Sequence, residues 1–111
     1  MGVDNLQVHL VTTPRTISWK RSGRHRHSFH ELGIVAEGEM EWHFDEDRPL
    51  RVKEGQAILI PAGLCHYETL TRPARVAWVG YEGMLHALPL KKPVPLLGWE
   101  RVILSRIEEM G

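Results

Sequence analysis

Between residues 6 and 81 apolar side chains return at every second position in short runs, and each run is cut by Gly, Pro or charged residues. A strand sends successive side chains to opposite faces, so runs of this kind build sheets with a buried face; a helix needs a period near 3.6. The clearest case is 40–44, where Met40, Trp42 and Phe44 alternate with Glu41 and His43. Strands are expected at 6–12, 15–20, 32–36, 40–44, 50–53, 57–60, 66–70 and 74–81. Gly38 separates the third from the fourth with the spacing of a hairpin, and turns are expected at 45–49 and at Glu54-Gly55. Ala57-Ile-Leu-Ile60 is apolar throughout, as in a strand covered on both faces. Many short strands at regular spacing make an all-β sandwich or small barrel.

The pattern changes after Gly83. Residues 88–97 carry Pro89, Pro93 and Pro95, which suits neither a central strand nor a helix. From Trp99 the period becomes helical: Trp99, Val102 or Ile103, Ile107 and Met110 share a face opposite Glu100, Arg101, Ser105 and Glu108. Such a helix must cover its apolar stripe with the outside of the barrel or with a second copy of itself. The expected organisation is a β-barrel over 1–86, a Pro-rich connector at 87–98 and an amphipathic helix at 99–111. These 111 residues suffice for one core and are too few for two.

Composition removes several function classes. Lys plus Arg equal Asp plus Glu at 14 each, so net charge gives no case for binding nucleic acid or an anionic membrane. No apolar run approaches the ~20 residues of a membrane helix. The first six residues lack the basic start and apolar core of a signal peptide. Cys65 is the single cysteine, which excludes an internal disulfide and suits a reducing compartment. A soluble, cytoplasmic protein is expected, with Cys65 as a small apolar residue.

The residues with chemistry of their own are His25, His27, Glu31 and His66. On an extended segment His25 and His27 share one face while Arg24 and Arg26 share the other. Glu31 follows the break at 28–30, and His66 follows a Pro61-Ala-Gly63 turn. Inside a closed sheet these four could converge on one divalent metal, for which imidazole and carboxylate donors suit Fe, Mn, Ni or Zn. They could equally orient a small ligand with no metal present. The rest of the expected interior, Gly33, Val35, Met40, Trp42 and Trp78, offers no second carboxylate, Ser nucleophile or Lys. Glu68, in alternation with His66, is the one additional acid, directed either inward or to solvent. Indole faces suit a small organic ligand, so the expected pocket adds Met40, Trp42 and Trp78 to the four polar residues. The bland alternative leaves Trp42 and Trp78 as plain core. His30 and His43 are expected at the surface, and Lys20, Arg21, Arg24 and Arg26 on a solvated outer strand.

With these residues placed, the chain resembles the cupin superfamily. Its first motif, G-x5-H-x-H-x3-4-E-x6-G, is matched by His25, His27, Glu31 and Gly38. Its second, G-x5-P-x-G-x2-H-x3-N, is matched by Gly55, Pro61, Gly63 and His66. Trp19 replaces the opening Gly and Leu70 the closing Asn. The resemblance implies a double-stranded β-helix, or jelly-roll barrel. Within the superfamily, residues 27–38 and 77–83 are similar to the entry and closing segments of the effector-binding domain of AraC-family transcriptional regulators. That likeness implies sensing of a sugar or other polar metabolite, usually without a metal. It also implies a homodimer formed through the C-terminal helix, with DNA contacted only through a helix-turn-helix domain that these residues do not contain. The alternative is a stand-alone metal-dependent cupin enzyme of dioxygenase or isomerase type.

Overall fold

The period-two alternation is realised as strands in the computed structural model, which describes residues 3–45, 48–85 and 93–95, although the strand expected at 15–20 ends at Ile17 and leaves Trp19 exposed. The elements are β1 (Val3–Val11), β2 (Arg15–Ile17), β3 (His30–Glu37), β4 (Glu39–Phe44), β5 (Leu50–Lys53), β6 (Gln56–Ile60), β7 (His66–Thr69), β8 (Ala74–Leu85) and β9 (Val94–Pro95). No helix occurs among the described residues, and every pairing is antiparallel. The larger sheet runs β1-β8-β3-β6-β9, with β2 also on β8, and the smaller runs β5-β4-β7. None of the described helices could cross a membrane, since there are none.

The expected hairpin at Gly38 is not one. β3 pairs with β6 and β8 while β4 pairs with β5 and β7, so Gly38 is the corner where the chain leaves one sheet for the other. Its φ of +83° is unfavourable for any residue with a Cβ. A Cβ there would also lie 3.2 Å from that of Ala74. Both conditions select glycine, and both belong to a corner as readily as to a hairpin. Spacing alone could not separate the two.

Register decides what faces inward. Glu31 lies opposite Ile60 and Gly80, Gly33 opposite Ile58 and Trp78, and Val35 opposite Gln56 and Val76. This face meets Met40, Trp42, Phe44 and Val52 of the smaller sheet to form the core. The sheets are tightly apposed at Gly33, where an added Cβ would sit 2.5 Å from Trp42 Cζ2. The missing side chain of Gly33 is therefore the space that the Trp42 indole fills. Leu32, Ile34, Ala57, Leu59, Ala77, Val79 and Tyr81, on the opposite face, are buried too. Ala57 to Ile60 are all buried, as their uninterrupted apolar character predicts.

Towards the C-terminus, β9 pairs with β6 at the edge of the larger sheet, with Pro95 opposite Gln56 and Val94 opposite Ala57. Proline tolerates such an edge position because it has no N–H to donate inward. The remainder of the 87–98 connector and the helix expected at 99–111 lie outside the described residues.

Candidate metal centre

The site is assembled by a strap, residues 20–27, laid along β7. Leu70 N donates to Lys20 O at 2.9 Å, Ser22 N to Glu68 O at 2.9 Å and Gly63 N to His27 O at 2.8 Å. His25 and His66 exchange both backbone hydrogen bonds at 2.8 Å. Residues directly opposite in an antiparallel pair project side by side, and these two rings stand 4.3 Å apart. The His27 ring is 5.0 Å from that of His25. Glu31 enters from β3 and reaches both remaining histidines: one carboxylate oxygen lies 3.1 Å from His27 Nε2, the other 3.3 Å from His66 Nε2.

His25, His27, Glu31 and His66 each present a donor atom, and these atoms all lie within 4.8 Å of one another. The convergence expected of residues distant in sequence is present. The side chains of His66 and Glu31 are 1% and 5% exposed, those of His25 and His27 30% and 27%, so the cluster is sealed on the core side and open on the strap side.

Backbone carbonyls fix two of the imidazoles. His25 Nδ1 lies 2.6 Å from Gly23 O and His66 Nδ1 2.8 Å from Leu64 O. A carbonyl only accepts, so in each ring Nδ1 carries the hydrogen and Nε2 turns its lone pair to the centre. Carbonyls in this position orient metal-ligating histidines and raise their basicity.

Two atoms of the cluster, His66 Nε2 and Glu31 Oε1, are buried without a hydrogen-bond partner. They face each other at 3.3 Å. With the His66 proton on Nδ1, both are acceptors, and two lone pairs aimed at one point require a proton or a cation between them. The protein shows the pull towards a proton. Burial lowers the His66 pKa, yet the Glu31 carboxylate, the Leu64 carbonyl and the charge of Glu68 outweigh it, and the net shift is upward. A divalent cation satisfies both atoms at once. Three imidazoles and one carboxylate are a donor set that would suit Fe, Mn, Ni or Zn.

Met40, Trp42 and Trp78 are 1%, 0% and 8% exposed and belong to the core cluster. Trp42 Nε1 is a third buried atom without a partner. His30 and His43 lie outside the donor set. His30 is half-buried and its Nδ1 accepts from Ala62 N at 3.0 Å. His43 stacks on Tyr67 with ring centres 4.5 Å apart and bonds Thr69 Oγ1 at 2.7 Å. The Arg21 guanidinium covers Tyr67 at 4.2 Å, and Arg24 pairs with Asp45.

Glu68 corrects the expectation that the interior holds no second carboxylate. It is 3% exposed, and its Oε2 lies 3.6 Å from His25 Nε2. Ser22 Oγ donates to that oxygen at 2.9 Å and accepts from Glu68 N at 2.8 Å. Burial raises the Glu68 pKa more than His25 and Ser22 lower it. Its two-residue spacing from His66 was the signal in the sequence; what the sequence lacked was proof that β7 turns that face inward.

A cupin-domain family model matches residues 18–80. No curated protein sequence matches the chain. Among solved structures, a cupin-2 domain protein from Shewanella frigidimarina aligns with a TM-score of 0.55 and 21% identity over 60% of this chain and 64% of its own. The protein YhaK from Escherichia coli aligns with a TM-score of 0.66 and 13% identity over 81% of this chain and 43% of its own. Bacillus subtilis oxalate decarboxylase, a protein with Mn(II) centres, aligns with a TM-score of 0.53 and 16% identity over 82% of this chain and 31% of its own. This chain thus spans less than two thirds of each of these relatives, and the likeness is one of fold. The family match covers more than half of the chain, and the two paired sheets and the clustered motif residues accord with it: the chain belongs to the cupin domain family.

Proposed function

We propose that this cupin holds a divalent transition metal through His25, His27, Glu31 and His66 and acts on a small molecule bound at the open side of that centre. The supporting observation is the pair of buried acceptors, His66 Nε2 and Glu31 Oε1, facing each other with no hydrogen bond to satisfy them. A cation bound there would supply Lewis acidity and exchangeable coordination positions. The protein's own groups do the rest. The carbonyls of Gly23 and Leu64 hold two imidazoles in the ligating tautomer. Glu31 provides the negative charge among three neutral rings. Trp42, Trp78 and Met40, buried in the core, would supply the apolar walls of the pocket. The enzyme class that fits is the metal-dependent small cupin of dioxygenase or isomerase type.

A second reading is the sensing domain of an AraC-type regulator, in which a sugar or other polar metabolite fills the same mouth. It is favoured by the likeness of residues 27–38 and 77–83 to the segments that open and close such barrels. Binding would then bias a homodimer whose attached helix-turn-helix domains contact DNA, and the effect would require the ligand to prefer one arrangement.

Elemental analysis of the protein purified without chelator tests the first reading, with about one equivalent of transition metal per chain as the expected result. A metal-free protein whose melting temperature is unmoved by added Mn2+, Fe2+, Ni2+ or Zn2+ would refute it, because any ligand of the native state alone must raise that temperature. Extending the reading frame past Gly111 addresses the second: an encoded helix-turn-helix supports it and a stop codon opposes it.

A further inference from the structure

The four-donor set leaves Glu68 unused. Its side chain is 4% exposed, and its Oε2 stands 3.6 Å from the ligating nitrogen of His25. The four groups whose donors lie within 4.8 Å of one another do not include it. It is placed beside the centre, on the flank of the more open ligand. The placement is fixed. The Ser22 hydroxyl donates to Oε2 at 2.9 Å and accepts the Glu68 amide at 2.8 Å, so its rotor is pinned at both ends. The Ser22 amide is itself tied to Glu68 O at 2.9 Å.

Charge counting gives this carboxylate a purpose. Three imidazoles and Glu31 would leave a bound divalent cation with one net positive charge, which would attract small anions. The Glu68 carboxylate, held beside His25 Nε2, would cancel that charge and add a hydrogen-bond acceptor. We propose that Glu68 determines which molecules bind at the metal centre: its carboxylate accepts from a hydroxyl or amine of the bound ligand and repels ligands that arrive as anions. The substrate class is therefore a small neutral or cationic molecule carrying a hydroxyl or amine, rather than a carboxylate. This rests on the metal-centre reading above.

The test uses the whole chain loaded with Co2+, titrated with azide and followed by visible absorption. Wild type, Glu68→Gln and Ser22→Ala are compared. Glu68→Gln should bind azide at least about tenfold more tightly than wild type, because a like charge a few ångströms away has been removed. Ser22→Ala keeps the charge and should stay within about threefold of wild type. Equal azide affinity in wild type and Glu68→Gln overturns the proposal. So does loss of Co2+ from Glu68→Gln, which would make the carboxylate a ligand. A wild-type chain that takes up no Co2+ overturns the metal centre itself, and this inference with it.

Discussion

Gly33→Ala should destabilise the protein although alanine is ordinarily the better strand residue. The added Cβ would sit 2.5 Å from Trp42 Cζ2 and 3.1 Å from Cη2, against an ordinary carbon contact of about 3.5–4.0 Å. The indole would have to retreat by roughly 1 Å, and Trp42 is 0% exposed, enclosed by Met40, Val52, Ile58 and their neighbours in one core cluster. Overpacking of a closed core costs about 1–3 kcal/mol, which for a domain of this size lowers the melting temperature by roughly 4–20 °C. The partner change is Trp42→Phe. It removes ring atoms, which costs packing, and it also removes the buried Nε1 that has no hydrogen-bond partner, which offsets part of that cost by about 1–3 kcal/mol. The double variant should therefore be more stable than Gly33→Ala alone, with a coupling of at least about 1 kcal/mol. Urea denaturation of the four proteins in the double-mutant cycle measures this directly. Additive effects, or a Gly33→Ala midpoint indistinguishable from wild type, would refute the close packing of the two sheets at this point.

Further consequences are open to measurement. Glu31→Gln and His66→Ala should each lower metal affinity by about a hundredfold or more, read by competition with a chelator, because each removes a buried donor. In the metal-free protein the pKa values of His66 and Glu68 are both raised by folding, so the native state binds more protons than the unfolded chain. Stability from protonated His66 is then complete below about pH 6.5 and is lost as the pH rises through its folded value; urea midpoints should fall from pH 5.5 to pH 8, and a rise would contradict the assignment. Gly38→Ala should cost about 1–2 kcal/mol in chemical denaturation, since φ is +83° and Ala74 crowds the position. If the expected helix at 99–111 dimerises the protein, a chain cut before Leu97 should show half the mass of the intact protein in light scattering.

Much of this protein is legible without coordinates. Alternation such as Met40, Trp42 and Phe44 against Glu41 and His43 dictates strands, because neighbouring side chains of an extended chain must point opposite ways. The two motifs name the four donors through spacing alone: His25, His27, Glu31 and His66 need only the local geometry of their own segments to be recognised as a set. Periodicity does not say which strand lies beside which. Only the tertiary structure places β3 and β4 in different sheets, makes Gly38 a corner, and folds the strap from Lys20 to His27 onto β7. Glu68 shows the limit best. Its two-residue interval from His66 assigns it to the same side of β7, but whether that side meets water or the interior depends on pairing with Trp42 and Ser22, both distant in sequence. The same holds for the facing acceptors of His66 and Glu31: a sequence records that acceptors exist, and only packing leaves them buried opposite each other.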